Sequence, residues 1–176
     1  FSVILLKPIE MISFGKSLIA NVLFTSNILF WKEGDYFDIL SQYKPLFHTW
    51  SLGVEEQFYL LFPVFLLIIW KLGKKITLVF ISISFLVSFF LANYLILSKS
   101  IFSFYMLPTR GWELLAGSLS AFYYQGNFKK IHNSHLKNIL SLTGFIIICL
   151  SVFFYDEGTP TPSIYTFFPV VGSVMI

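Results

Sequence analysis

Long apolar stretches constrain the fold of this chain more than any other feature of its sequence. A helix needs about 20 mostly apolar residues to cross the hydrocarbon core of a bilayer, and a helix satisfies its own backbone hydrogen bonds there. Five segments meet this requirement, and shorter apolar stretches lie near both ends: 13–31, 51–70, 76–97, 104–124 and 138–155, with 1–6 and 164–176. The sequence therefore predicts an all-α, polytopic integral membrane protein. We expect about five transmembrane helices plus truncated helices at both ends, within one transmembrane domain over residues 1–176.

The composition excludes an ordinary soluble domain. Hydrophobic residues make up 56% of the chain and charged residues 12%, whereas soluble domains carry about 25% charged residues. The 22 Phe residues fit a surface that faces lipid. The single cysteine, Cys149, excludes an internal disulfide framework and a paired-cysteine metal site. We therefore expect no metal and no bound cofactor.

The basic residues predict an orientation in the membrane. If residues 13–31 run from the cytoplasm outward and later spans alternate, eight of the 12 basic residues fall in cytoplasmic segments. These residues are Lys7, Lys16, Lys71, Lys74, Lys75, Lys129, Lys130 and Lys137. Most acidic loop residues then lie outside, which is consistent with the same orientation.

Four ionisable residues lie inside the predicted spans: Glu55, Glu56, Arg110 and Glu113. A charge at bilayer depth costs about 2.5–3.5 kcal/mol even on the lenient insertion scale, so such residues usually face a partner or a polar cavity. In the orientation above, all four lie within two turns of the outer surface, on two helices that run in the same direction. We therefore expect them to meet in one polar chamber.

The first of these charged segments is residues 44–63, KPLFHTWSLGVEEQFYLLFP. Ser51 is expected to cap a helix, and spacings of about four residues predict that one helical face carries a polar stripe. That stripe consists of His48, Ser51, Glu55 and Tyr59. Alternatively, Glu55 and Glu56 only complement the positive end of the helix dipole. Two adjacent acids behind a histidine and a serine favour a functional role.

The second charged segment, residues 105–117, repeats this pattern with a proline, a hydroxyl and an acid four residues later. Arg110 and Glu113 are three residues apart on one face, which alternatively indicates a self-contained surface ion pair. The planar guanidinium of arginine suits carboxylates and phosphates, which favours a site. Gly111 and Gly117 are expected to permit close helix packing.

The stretch PLFHTWSLGVEEQFY, residues 45–59, closely resembles the signature of the membrane-bound acyltransferase family 3. These O-acetylases modify bacterial surface polysaccharides, peptidoglycan and some small molecules. Residues 23–37, 109–117 and 155–160 resemble the same family in the same order, so that the resemblance covers nearly the whole chain.

The resemblance implies transfer of an acyl group, usually acetyl, from cytoplasmic acyl-CoA to a hydroxyl of a cell-surface glycan. Lipopolysaccharide O-antigen, exopolysaccharide and peptidoglycan are the acceptors that it suggests, and the location is the bacterial inner (cytoplasmic) membrane. The expected partners are acyl-CoA, a glycan or lipid-linked sugar acceptor and membrane lipids, with no nucleic acid. The family carries its catalytic histidine and an associated arginine on a first helix that these 176 residues do not contain. We therefore expect part of a longer enzyme that is inactive alone.

The candidate catalytic residues are Glu55, Arg110 and Glu113. Glu55 would orient or charge the histidine or the acceptor hydroxyl, Arg110 would stabilise developing negative charge, and Glu113 would fix Arg110. The candidate substrate-binding residues are His48, Trp50, Ser51, Glu56, Tyr59 and Trp112. A transporter or flippase of glycan or lipid, with charges along a pathway, is the alternative, although no inverted repeat supports it. A structural membrane subunit is a third.

Overall fold

The computed structural model describes residues 7–34, 46–125, 134–156 and 158–176. This part of the chain folds into eight α-helices and two short 3₁₀ turns, Phe47–Thr49 and Trp70–Leu72, without a strand. The helices are α1 (Pro8–Val22), α2 (Ser26–Glu33), α3 (Trp50–Ile69), α4 (Lys74–Leu95), α5 (Ser100–Tyr105), α6 (Leu107–Gln125), α7 (Ser134–Phe154) and α8 (Ile164–Met175).

Three helical stretches in the described residues are long and apolar enough to cross a membrane: Phe47–Leu72, Lys74–Leu95 and Ser134–Phe154. Their outer faces expose large apolar side chains, of which Leu67 is 71% exposed and Phe153 is 84% exposed. An apolar surface this extensive is stable against lipid and not against water. The predicted all-α membrane protein is confirmed.

The segment predicted as one helix over residues 13–31 is divided in two by the structure. Helix α1 ends at Val22, Phe24 adopts a left-handed φ of 56°, and α2 begins at Ser26. The two helices have 15 and eight residues, so each is shorter than the about 20 residues that a span requires. The expectation of a continuous helix here is therefore corrected.

A second break divides residues 104–124. Helix α5 ends at Tyr105, Met106 is extended (φ −97°, ψ 139°), and α6 starts at Leu107. A helix that continued through this point would bring the ring of Pro108 against the carbonyl of Phe104, four residues earlier. In the first turn of α6, by contrast, Pro108 loses no helical hydrogen bond. Of the two predicted terminal stubs, residues 1–6 lie outside the described residues, and α8 has 12 residues.

Buried hydrophobic residues of the described chain form two clusters, and α3 contributes to both. One contains Phe30, Trp50, Val54 and Tyr105, and it joins α2, α3 and α5. The other contains Phe58, Ile81 and Leu115, and it joins α3, α4 and α6. The second cluster holds α3 and α6 next to each other, and the N-terminal parts of these two helices carry the four ionisable residues of the predicted spans.

Helices α7 and α8 pack against each other through two glycines. A Cβ at Gly144 would lie 2.5 Å from the carbonyl oxygen of Gly172, and a Cβ at Gly172 would lie 2.8 Å from the carbonyl oxygen of Gly144. The backbones therefore approach more closely than any other residue type permits, as small residues allow in membrane helix pairs.

Candidate functional site

The chain enters α3 through the 3₁₀ turn Phe47–Thr49. Thr49 Oγ1 donates a hydrogen bond to the carbonyl of Leu46 at 2.6 Å, which closes this turn. Helix α3 then begins at Trp50, and no side chain caps it. Ser51, the expected cap, lies in the first turn instead and donates to the carbonyl of His48 at 3.4 Å. The N-cap position belongs to Thr49, two residues before Ser51, so the cap assignment is corrected, while Ser51 stays in the first turn of the helix.

Gly53 allows α2 to cross α3 at close range. A Cβ at this position would lie 2.8 Å from Ser26 Oγ and 3.2 Å from Asn27 Oδ1. Ser26 is fully buried and donates to the carbonyl of Thr49 at 2.9 Å, which ties α2 to the entrance of α3. Gly53, the glycine of the sequence LGVEEQ, thus allows the close packing of α2 on α3.

A pair of side-chain amides connects the two helix breaks. Gln57 Nε2 donates to Asn27 Oδ1 at 2.9 Å and to the carbonyl of Phe24 at 2.8 Å, in the first break. Asn27 Nδ2 donates to the carbonyl of Tyr105 at 3.1 Å, beside the second break, and to Gln57 Oε1 at 3.4 Å. Backbone carbonyls that a continuous helix would satisfy are satisfied here by side chains, as buried polar groups require. The amide pair therefore holds α2, α3 and α5 together.

Arg110 extends from the first turn of α6 onto two aromatic rings. Its guanidinium carbon lies 4.9 Å from the ring centroid of Trp50 and 5.3 Å from that of Phe104. Both distances are within the range of cation–π attraction, and the two rings themselves lie 4.5 Å apart. The Arg110 side chain is 18% exposed. Its position is therefore set by α3 and α5 as well as by its own helix.

Glu113 forms an ion pair with Arg110 from the next turn of α6. Arg110 Nη2 lies 3.5 Å from Glu113 Oε1, with the two side chains 18% and 25% exposed. Arg110 Nε donates no hydrogen bond within the described part of the chain, although this atom is buried. The Arg110 guanidinium thus has a counter-charge in Glu113, and its Nε can still donate a hydrogen bond to a ligand.

The ion pair lines a cleft of about 170 Å³ between the N-terminal parts of α3 and α6. The lining residues are Trp50, Ser51, Val54, Glu55, Arg110, Glu113 and Leu114. The two helices therefore bring Glu55, Arg110 and Glu113 together, as predicted, whereas Glu56, expected in the same chamber, does not line the cleft. Glu55 is partly buried, and its carboxylate forms no ion pair with any described residue. The cleft combines a paired guanidinium with a carboxylate that forms no ion pair with any described residue.

Four of the predicted substrate-binding residues do not line this cleft. His48 is exposed in the turn before α3, Glu56 points from a neighbouring face, and Tyr59 is 57% exposed. Trp112 is fully buried and packs edge-on against Phe85 and Phe89 of α4, at centroid distances of 6.1 and 5.1 Å. Trp50 and Ser51 are the two predicted binding residues that the structure brings to the cleft.

A second, larger space continues from the cleft along α6. A groove of about 480 Å³ between α6 and α8 starts at Glu113, which also lines the cleft, and reaches Tyr124. Its lining includes the small residues Gly117, Ser120 and Ser173 together with the apolar residues Val170, Val174 and Ile176. A further pocket of about 330 Å³ shares Tyr124 with the groove and includes Lys137. Sequence analysis missed this groove because no single residue in it is unusual; only the spacing of Glu113, Gly117, Ser120 and Tyr124 along one face indicates it.

Comparison with known proteins identifies the family. A family model described as an acyltransferase domain matches residues 1–176. The chain belongs to this acyltransferase family. The predicted resemblance to acyltransferase family 3 is therefore confirmed, and it places the chain among O-acyltransferases. No solved structure matches the chain.

Three relatives illustrate the range of the family. An uncharacterized protein of Haemophilus influenzae is 27% identical over 170 residues, covering 92% of this chain and 69% of that protein. A peptidoglycan O-acetyltransferase of Listeria monocytogenes is 30% identical over 169 residues, covering 90% of this chain and 27% of that protein. A putative peptidoglycan O-acetyltransferase of Bacillus subtilis is 33% identical over 155 residues, covering 81% and 24%. The chain thus spans about a quarter of the length of the two relatives whose names state an activity.

Proposed function

We propose that this chain is part of a multi-pass O-acyltransferase of the bacterial inner membrane. The longer enzyme would transfer an acetyl group from acetyl-CoA to a hydroxyl of a cell-surface glycan such as peptidoglycan, exopolysaccharide or lipopolysaccharide O-antigen. Family membership and the names of two relatives support acyl transfer to a glycan. The observation that carries the proposal is the shared cleft, in which Glu55 of α3 lies with Arg110 and Glu113 of α6.

The cleft supplies groups that acyl transfer to a hydroxyl requires. Attack on a thioester carbonyl develops negative charge on oxygen, and a fixed positive group next to that oxygen lowers the barrier. Arg110 would fill this role, with Glu113 and the ring of Trp50 fixing its guanidinium. Glu55 would orient the acceptor hydroxyl, or the basic residue that takes its proton. The catalytic histidine that the family resemblance implies would complete the site.

The groove along α6 supports access for an acyl-CoA donor from the opposite side of the membrane. It leads from Glu113 to Tyr124, 11 residues along the helix and therefore about 16 Å at 1.5 Å per residue. Its narrow, partly polar walls suit an elongated thioester arm, whose acyl end would reach the cleft. The adjoining pocket with Lys137 offers a positive charge near the far end, where the phosphates of the donor would lie.

The test uses the full-length protein in membranes supplied with labelled acetyl-CoA and a cell-envelope fraction that contains native glycans. We expect the wild type to transfer label to the glycan and Glu55→Gln to lose this transfer at a normal protein level in the membrane. Glu56→Gln is the matched control, because it changes the neighbouring carboxylate, which does not line the cleft. We expect it to retain transfer.

Three results would contradict the proposal. Glycan movement across the membrane by the wild type without any dependence on acetyl-CoA would favour a transporter or flippase. Equal transfer by Glu55→Gln and the wild type would show that Glu55 is not part of the site. Equal loss of transfer in Glu55→Gln and Glu56→Gln would show that the loss does not depend on whether the carboxylate lines the cleft.

A further inference from the structure

A side chain from α4 contacts the backbone of the turn that carries Arg110. Ser88 Oγ donates a hydrogen bond to the carbonyl of Pro108 at 2.7 Å and accepts one from the backbone N–H of Trp112 at 3.0 Å. These two backbone groups are four residues apart, so an uninterrupted α-helix would join them directly. The Ser88 hydroxyl therefore bonds to both the acceptor and the donor of one backbone hydrogen-bonding pair of α6.

The bridge that Ser88 makes lies in a buried part of the structure. Ser88 is 7% exposed, and its single hydroxyl is used both as donor and as acceptor. A polar group that inserts into the hydrogen-bond ladder widens or bends a helix at that turn. Arg110 and Gly111 lie inside the bridged turn, and a Cβ at Gly111 would lie 3.6 Å from Ser88 Oγ. The direction in which Arg110 leaves α6 thus depends on a residue of another helix.

We propose that Ser88 is a positioning residue for acyl transfer, which sets the place of the Arg110 guanidinium by tying the first turn of α6 to α4. The inference rests on the proposed function, because it assigns Ser88 to the same cleft. Without the hydroxyl, the Pro108 carbonyl and the Trp112 N–H lose their common partner on α4, and the first turn of α6 is free to move. Arg110 then shifts relative to Glu55, and small errors in the placement of a charge-stabilising group reduce the rate.

The experiment measures acetyl transfer by variants of the full-length protein, with labelled acetyl-CoA as the donor. We expect Ser88→Ala to reduce kcat about tenfold or more while KM for acetyl-CoA changes by less than about twofold. Ser88→Thr keeps the hydroxyl and is expected to restore most of the lost kcat. In an Arg110→Ala background, Ser88→Ala is expected to cause no further loss, because the two residues act through the same group.

A matched control is available in α7. Ser151 is also 7% exposed, but its hydroxyl donates to the carbonyl of Ile147 within its own helix, at 2.9 Å. We expect Ser151→Ala to keep wild-type kcat, so that a loss specific to Ser88→Ala is not a general effect of removing a buried serine hydroxyl.

The outcomes distinguish the inference from the function on which it rests. An active wild type with an equally active Ser88→Ala variant overturns the role of Ser88 alone. The same holds if Ser88→Thr is as impaired as Ser88→Ala, or if the Ser88 and Arg110 losses multiply. A wild type that transfers no acetyl overturns the proposed function itself, and the role of Ser88 with it.

Discussion

The close crossing of α2 and α3 at Gly53 makes a quantitative prediction about stability. In Gly53→Ala the new Cβ would lie 2.8 Å from Ser26 Oγ and 3.2 Å from Asn27 Oδ1, so α2 must move or lose its hydrogen bonds. Overpacking costs about 1–3 kcal/mol, and an unsatisfied buried polar group adds about 1–3 kcal/mol. Alanine returns up to about 1 kcal/mol through its higher helix propensity. We therefore expect a net loss of about 3 kcal/mol in the free energy of unfolding.

The assay is thermal unfolding of the full-length protein purified in detergent. A loss of about 3 kcal/mol lowers Tm by about 6–12 °C for a cooperative unit of about 150–250 residues, and by less for a larger unit. Gly15→Ala is the matched control, because Gly15 lies inside α1 and a Cβ there would meet no atom within 4 Å. This variant is expected to melt at or above the wild-type temperature. A Gly53→Ala variant that melts together with the wild type would refute the crossing of α2 over α3.

Two further substitutions test the packing of α7 on α8 and the role of the Arg110 guanidinium. Gly144→Ala would place a Cβ 2.5 Å from the backbone oxygen of Gly172, and a backbone atom cannot move aside without moving its helix. We therefore expect the free energy of unfolding to fall by about 1–3 kcal/mol and Tm to fall with it. An unchanged Tm would contradict the packing of α7 on α8. Arg110→Lys keeps the charge but loses the planar group that lies on the ring of Trp50, and we expect acetyl transfer to fall about 100-fold, with normal protein levels in the membrane. Transfer by this variant at the wild-type rate would show that only the charge matters.

The membrane fold and the meeting of charges follow from local properties of the sequence. Apolar length predicts membrane helices, and the cost of a buried charge predicts that Glu55 and Arg110 share one polar space. The structure brings both to one cleft because α3 and α6 start at the same end of the helix bundle, each after a short turn or break.

The helix breaks escape sequence analysis because they depend on distant residues. The apolar stretch around Phe24 is long enough for one span, and the carbonyl freed at that break is satisfied by Gln57, 33 residues away. Similarly, a serine inside an apolar helix gives no sign that it bridges another helix, as Ser88 does.

Glycine roles also depend on tertiary contacts. Among the described residues, the expectation of close packing at Gly117 is wrong, because a Cβ there would meet none of their atoms within 4 Å. The close approaches occur at Gly53, Gly144 and Gly172, which no local signal distinguishes from Gly117. The partner helix decides which glycine must lack a side chain for close packing, and the sequence alone does not show which helix that partner is.

Cross-linking across the cleft tests the central claim most directly. In a Cys149→Ser background of the full-length protein, Ser51→Cys and Leu114→Cys place one thiol on each wall of the cleft. A short bifunctional thiol reagent is expected to join them and to block acetyl transfer. Leu52→Cys with Leu114→Cys is the control pair, because Leu52 is 42% exposed on another face of α3, and we expect no cross-link. Cross-linking of the control pair alone would contradict the shared cleft of Glu55 and Arg110.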